Sequence, residues 1–291
     1  MKTFLRVTFS CILSLFLAIS CLAGGLCHLG QRVICDPAPL LRAAETGGAA
    51  KQLYDEIFYD WENLISITGV EEPEAMLGLL TQERVQQDLL RYIRDSYSGT
   101  PSIQTDDLRS QLDALVRQYA YSHNIHATPE SELEQNISDL VDACISDYRE
   151  AIRIPLLPTL LGKVSSFEAY FSKLFPVACV GAFVFLLFLF FLQKKKSNTL
   201  YYLCLSVATG GVILYGATLL VDRYDILNRL PFTDSAIKTL VVSYLQSILE
   251  SLEQYGIVYL LVACLVLVLY LLWCTVSALI HTVKKPADTA Q

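Results

Sequence analysis

The most informative absence in this sequence is that of ionisable side chains from three long apolar runs. Residues 174–192, 200–221 and 257–280 contain no Asp, Glu, Lys, Arg or His. Ion-coupled transporters and intramembrane hydrolases generally need such groups inside the membrane, so their absence argues against both classes. A channel lined by hydroxyl and backbone groups remains an alternative, because pores do not need a charge in every span.

Several motifs of catalysis and metal binding are also missing. The chain has no G-x-S-x-G nucleophile elbow, no H-E-x-x-H pair and no Walker P-loop,. Its acidic residues show no EF-hand spacing, and its nine cysteines form no C-x-x-C pair,. We therefore predict a protein that is not an enzyme and that carries no metal or cofactor.

The apolar run Leu174–Leu192 predicts a membrane-spanning helix. At 1.5 Å per residue, a helix of this length crosses roughly the 30 Å hydrocarbon core of a bilayer. Three lysines follow it directly, and basic residues mark the side of a span that is not translocated. With the other apolar runs as spans, the expected cytoplasmic pieces hold seven basic residues against Asp288 alone. The seven are Lys2, Arg6, Lys194, Lys195, Lys196, Lys284 and Lys285.

The first apolar segment, Val7–Leu29, has two interpretations. It follows a short basic start, so it is either a cleaved signal peptide or an uncleaved signal anchor. This run of 23 residues is longer than a usual signal-peptide core, and no clear A-x-A site closes it. We favour the anchor, which places both termini in the cytoplasm and residues 31–173 outside it.

Residues 31–173 are acidic and are expected to form a helical bundle. They contain 23 acidic and 12 basic residues, a net charge of −11, which disfavours nucleic acid as a partner,. Apolar residues recur at helical spacing in four stretches, while Gln31–Glu45, with two prolines, reads as a linker. The four expected helices are Ala49–Ile67, one from Thr81 to Gly99, one from Thr105 to about His123, and one from Thr128 to Ile152.

An apolar patch lies between the bundle and the second span. Pro155 and Pro158 are expected to break the preceding helix. The patch either packs on the bundle or the bilayer interface, or it forms a contact surface for a partner. A further amphipathic helix, 234–252, carries a broad apolar stripe and is expected to dock on the outer domain. The patch consists of Leu156, Leu157, Leu160 and Leu161.

Two cysteines and two histidines are further candidates for a site. Cys35 and Cys144 lie in the exported region and are candidates for a disulfide, although Cys144 also fits the buried stripe of its helix. His123 and His126 would need further converging ligands to hold a metal, so a polar loop explains them better.

Together these features predict an all-α integral membrane protein with four transmembrane helices and an extracytoplasmic helical bundle. We expect a multi-pass protein of the cell membrane that presents the bundle to an unknown protein partner for binding or assembly. The alternative is a subunit of a membrane transport or channel complex. The expected segments are 1–30 (anchor or signal peptide), 31–173 (bundle), 174–192 (span), 193–199 (cytoplasmic loop), 200–221 (span), 222–256 (outer loop with a helix), 257–280 (span) and 281–291 (cytoplasmic tail).

Overall fold

Helices form every regular element in the part of the chain that the structure, a computed structural model, describes. That part comprises residues 2–70, 72–123, 132–155, 157–193, 196–232 and 234–284. The all-α prediction is therefore confirmed. The helices are α1 (Lys2–Leu29, followed by a π-helical turn at Gly30–Ile34), α2 (Pro37–Thr46), α3 (Ala49–Ile67), α4 (Glu74–Leu77), α5 (Gln82–Ser98), α6 (Asp106–Ser122), α7 (Glu132–Ile152), α8 (Leu157–Leu192), α9 (Lys196–Arg223) and α10 (Ser235–Lys284).

The chain divides into two compact units. We call the first the span unit, since it contains the long apolar runs, and the second the bundle unit. The span unit consists of Met1–Asp36, Phe167–Arg229 and Gln246–Gln291, and the bundle unit consists of Pro37–Ser166 and Leu230–Leu245.

Four helices are long and apolar enough to cross a membrane by length and composition. Their apolar stretches lie in α1, α8, α9 and α10, and the first extends over Phe4–Ile34. This supports a multi-pass membrane protein. Many of the apolar side chains in these stretches are exposed within the chain, as expected of surfaces that face lipid,.

Helix α1 packs closely on α9 through buried serines. The hydroxyl groups of Ser14 and Ser206 lie 2.8 Å apart, and Ser206 Oγ also donates to the backbone oxygen of Ser14 at 2.8 Å. Towards the N-terminal end of α1, Gln193 Nε2 donates to Ser10 Oγ at 2.6 Å. All four side chains are almost completely buried. Hydrogen bonds between membrane helices stabilise their association, because lipid offers polar groups no other partner.

Glycines bring α9 and α10 into close contact. A Cβ atom on Gly256 would lie 2.8 Å from the backbone nitrogen of Tyr215, and one on Gly211 would lie 3.1 Å from the backbone oxygen of Gly256. Small residues at a helix interface let two backbones approach closely. At these glycines the neighbouring helix of α9 is α10.

The core of the bundle unit is built on Trp61 of α3 and Tyr148 of α7. Both side chains are completely buried, their ring centroids lie 6.5 Å apart, and Trp61 Nε1 donates to the backbone oxygen of Cys144 at 2.9 Å. The predicted helix Ala49–Ile67 has the observed bounds of α3. Thr81 caps α5 by accepting from the backbone N–H of Arg84, as predicted for its start,. The expected cap of α7 at Thr128 lies outside the described residues.

The predicted linker Gln31–Glu45 is wrong, because most of it is helical. Helix α2 begins at Pro37, and its residues Leu40, Ala43 and Ala44 are buried in the bundle core. The two prolines that suggested a linker lie in the first helical turn, where backbone N–H groups have no partner within the helix in any case.

The expected amphipathic helix 234–252 forms the first part of α10, which continues from Ser235 through the last apolar run without a break. Asp234 Oδ1 caps its start by accepting from the backbone N–H groups of Ala236 and Ile237. Ala236 and Leu240 are buried in the bundle core, and Thr239 Oγ1 donates to Gln52 Oε1 at 2.8 Å. The beginning of α10 therefore packs on the bundle.

Candidate functional site

The bundle unit contains an apolar cleft of about 630 Å³ where the end of α3, the end of α6 and the first half of α7 diverge. This size lies within the usual range for binding pockets, about 300–1,000 Å³. Most lining side chains are apolar, and the polar ones stand at the rim. The lining residues are Leu64, Ile67, Thr68, Gly69, Val70, Val116, Tyr119, Ala120, His123, Leu133, Asn136, Ile137, Asp139, Leu140 and Ala143.

Local sequence explains why the helices end at the cleft. Helix α3 stops at Gly69, whose φ of 80° lies in the left-handed region that favours glycine,. Helix α6 ends at His123, whose ring lies 4.1 Å from that of Tyr119 and whose Nδ1 is 3.0 Å from the Tyr119 carbonyl. Ile67, at the mouth of the cleft, is 84% exposed. The cleft thus presents apolar groups to solvent.

An ion-pair network lies next to the cleft. The guanidinium of Arg117 donates to both carboxylate oxygens of Glu134, at 2.7 and 2.8 Å, and to Asp113 at 2.8 Å. The hydrogen bonds to Arg117 lower the pKa of Glu134, and the same contacts raise the pKa of Arg117. Asp139, on the rim itself, makes no ion pair within the described residues. The rim therefore carries an uncompensated negative charge.

A second opening, a polar groove of about 680 Å³ beside α5, contains two ion pairs. Arg84 pairs with Asp107 at 3.1 Å, and Arg91 lies 3.7 Å from Asp88. The hydroxyl of Tyr148 donates to Asp88 Oδ2 at 2.7 Å. Since both arginines of the groove already have partners inside it, we regard the groove as part of the packing of α5.

The buried nucleophiles of the bundle are poorly suited to catalysis. Burial, and then the neighbouring Asp147 carboxylate, raise the pKa of Cys144 to about 12. Burial and the hydrogen bond to Asp88 raise the pKa of Tyr148. Both groups therefore stay protonated near neutral pH, and neither supplies an activated anion.

Cys35 and Cys144, the two candidates for a disulfide, are both thiols in the structure. Cys144 is completely buried in the bundle core, in the apolar stripe that its helix predicted. Cys35 is half-buried at the end of the first span. The arrangement corresponds to the buried thiol, one of the two interpretations of Cys144.

The predicted leucine patch is largely part of the bundle. Leu161 is buried in the core and Leu157 packs against it, whereas Leu160 is 59% exposed. Leu156 lies outside the described residues. A contact surface made of all four leucines therefore stays a prediction, and two of its members already have neighbours within the unit.

The histidine pair is only partly described. His123 lies at the rim of the cleft, and His126 falls outside the described residues. Among the residues that the structure does describe, no group of three or more His, Cys, Asp or Glu side chains is arranged to hold a metal ion.

Comparison with known proteins yields no relative for this chain: no protein-family model, curated protein or solved structure matches it. Function must therefore be argued from the residues themselves. The cleft is the feature that sequence reasoning missed, since its lining consists of ordinary core residue types.

Proposed function

We propose that this protein is a membrane-anchored binding or assembly protein. It presents the bundle unit on the extracytoplasmic side to another macromolecule and performs no chemistry of its own. The apolar cleft between α3, α6 and α7 is the observation that carries the proposal. An exposed apolar depression on an otherwise polar surface is typical of a contact site for a partner.

The charge of the bundle suggests the chemistry of the partner. Residues 31–173 carry a net charge of −11, which includes the Asp139 carboxylate at the cleft rim. Complementary charge around an apolar centre steers encounter and suppresses wrong partners. The partner is accordingly a protein segment that combines apolar side chains with basic ones.

Filling the cleft tests the proposal. Ala143 lines the cleft and is exposed, so Ala143→Trp places a bulky ring there without crowding the core. We expect this variant to lose at least one protein that co-purifies with the wild type in mild detergent, as measured by quantitative mass spectrometry. Ala114→Trp is the matched control, because Ala114 is an exposed alanine of α6 outside the cleft lining.

Two outcomes would overturn the proposal. If Ala143→Trp and Ala114→Trp retain the same proteins as the wild type, the cleft is not a contact site. If the purified protein alone passes ions or solutes in liposomes, the transport alternative replaces the binding function.

The orientation in the membrane is part of the same proposal. Seven basic residues against one acidic residue in the expected cytoplasmic pieces support cytoplasmic termini,. The buried serine contacts between α1 and α9 support retention of α1, because its removal would leave Ser206 and Gln193 without their α1 partners. Helix α1 is thus a permanent anchor.

Cysteine labelling checks this orientation. In a cysteine-free background, Ser110→Cys on α6 should react with a membrane-impermeant maleimide in intact cells, and Ser197→Cys should react only after permeabilisation. Ser110 is exposed within the bundle, so access is limited by the membrane alone. Labelling of Ser197→Cys in intact cells contradicts the topology, and the mass of the purified chain reports directly whether α1 is retained.

A further inference from the structure

Five carboxylates from three separate segments come together in the bundle unit, and we call them the acidic cluster. Glu56 and Asp60 lie one turn apart on α3, Asp147 and Glu150 lie one turn apart on α7, and Asp234 precedes α10. Within the described residues, these carboxylates do not form a group arranged to hold a metal ion. Those of α3, α7 and α10 repel one another.

Packing of the three segments fixes these carboxylates near one another. Trp61, next to Asp60, donates to the Cys144 carbonyl and so holds α3 against α7. The hydrogen bond from Thr239 to Gln52 holds the start of α10 against α3. The carboxylates of α3 act electrostatically on both sides, since Asp60 and Glu56 repel Asp147, and Asp234 repels Glu56.

Five arginines of the bundle unit are engaged elsewhere. Helix α6 packs on α7 with Arg109 and Arg117, which pair with Asp142 and Glu134. Arg149 of α7 itself lies 4.0 Å from Asp106. On α5, Arg84 and Arg91 belong to the ion pairs of the polar groove. None of these cations contributes to the electrostatics of Asp147 or Glu56.

Asp147 is the most strained member of the acidic cluster. Its Oδ2 is buried and has no hydrogen-bond partner among the described residues. Burial first, and then Asp60, Glu56 and Glu150, raise its pKa to about 6. Burial, followed by Asp234 and Asp60, also raises the pKa of Glu56. The charged form of the Asp147 carboxylate is therefore unfavourable at neutral pH.

We propose that the acidic cluster makes the attachment of residues 234–245 to the bundle pH-sensitive, with tighter docking at mildly acidic pH than at neutral pH. Protonation of Asp147 removes one charge from the seam between α3 and α7, and protonation of Glu56 removes the charge that faces Asp234. This inference concerns the contact between α3, α7 and the start of α10, and it does not depend on the proposed binding function.

The direction of the pH effect follows from proton linkage. The folded pKa of Asp147 lies above its ordinary value of 3.8, so between about pH 4 and 6 the folded chain holds a proton that the unfolded chain has released,. The ionised Asp147 carboxylate therefore lowers the free energy of unfolding by its full amount above pH 6, and this loss is reversed as the pH falls. At pH 5.0 Glu134, with its lowered pKa, is still ionised, so its ion pair with Arg117 persists.

The test uses the full chain in detergent with a chelator present. The sequence has two tryptophans, so a Trp273→Phe background lets Trp61 emission report the bundle unit. We expect the melting temperature to rise by about 2–4 °C from pH 7.5 to 5.0. Hydrogen exchange of the peptide 234–245, corrected for intrinsic rates, should slow over the same interval.

Variants at the acidic cluster make the test specific. Asp147→Asn should raise the melting temperature at pH 7.5 and remove at least half of the pH response, and Glu56→Gln should reduce the response of the 234–245 peptide. Asp55→Asn, which removes an exposed carboxylate next to Glu56, should keep the full response. A wild type that is equally stable or less stable at pH 5.0, or an Asp147→Asn variant with an unchanged response, overturns the proposal.

Discussion

Replacing Trp61 by alanine is expected to lower the free energy of unfolding of the bundle unit by about 3–5 kcal/mol. The side chain is completely buried at the contact between α3 and α7, where it packs on Tyr148 and donates to the Cys144 carbonyl. Its removal leaves a large cavity at the centre of the core. The loss of stability follows from the formation of this cavity. Thermal unfolding, followed by the helical signal in far-ultraviolet circular dichroism, measures it.

Two matched variants separate cavity formation from other effects. Tyr59→Ala removes an aromatic ring from the same helix, but Tyr59 is 62% exposed, so little change is expected,. Trp61→Phe keeps most of the volume and loses the hydrogen bond, which should cost about 1–2 kcal/mol. Equal effects of Trp61→Ala and Tyr59→Ala would mean that α3 does not pack in this orientation.

Replacing Gly256 by valine is expected to disrupt the contact between α9 and α10 in the span unit. The added Cβ would lie 2.8 Å from the backbone nitrogen and 3.2 Å from the Cα of Tyr215. Backbone atoms cannot move aside as a flexible side chain can, so the two helices must separate. Overpacking of this kind costs about 1–3 kcal/mol. Size-exclusion chromatography in detergent and the melting temperature measure the loss.

Gly216→Val provides the control for this prediction. Gly216 lies on α9, and a Cβ atom added there would meet nothing within 4 Å. Both substitutions put the same β-branched residue into a long helix, so a difference between them reports packing alone. If both variants elute and melt like the wild type, the close approach of α9 and α10 is not part of the stable fold.

Features with a local cause could be predicted from the sequence. The spans were predicted because three long runs lack any charged residue. The helices α3 and α5 were predicted because apolar residues recur at helical spacing and because Thr81, Gly69 and Gly99 supply start and stop signals,. These signals act within a few residues of the helix end, so no tertiary information was needed.

Features that depend on tertiary packing were missed. Prolines such as Pro37 and Pro39 occur both in linkers and in the first turn of a helix. Only the burial of Leu40 shows that these two belong to a helix. The continuity of α10 was missed because its first part has an amphipathic pattern and its later part is uniformly apolar, which suggested two helices.

The candidate site was predictable only in fragments. Glu56 and Asp60 were recognisable as an acidic face of one helix, but Asp147 and Asp234 are brought to them by packing of distant segments. The cleft lining likewise comes from the ends of three helices. Nothing in the residue types of Val116, Ile137 or Leu140 distinguishes them from fully covered core residues.

The contact between Ser14 and Ser206 has a consequence for biogenesis. The two residues are 192 positions apart, so under the proposed retention of α1 this helix resides in the bilayer while the intervening chain is synthesised. At roughly 5–20 residues per second, this interval lasts about 10–40 s. The hydroxyl of Ser10 donates to the Arg6 carbonyl at 2.9 Å, a contact within α1 that needs no second helix. We therefore expect α1 to be stable in the membrane as a single helix. The contact between Ser14 and Ser206 then forms late in assembly, after α9 has been inserted.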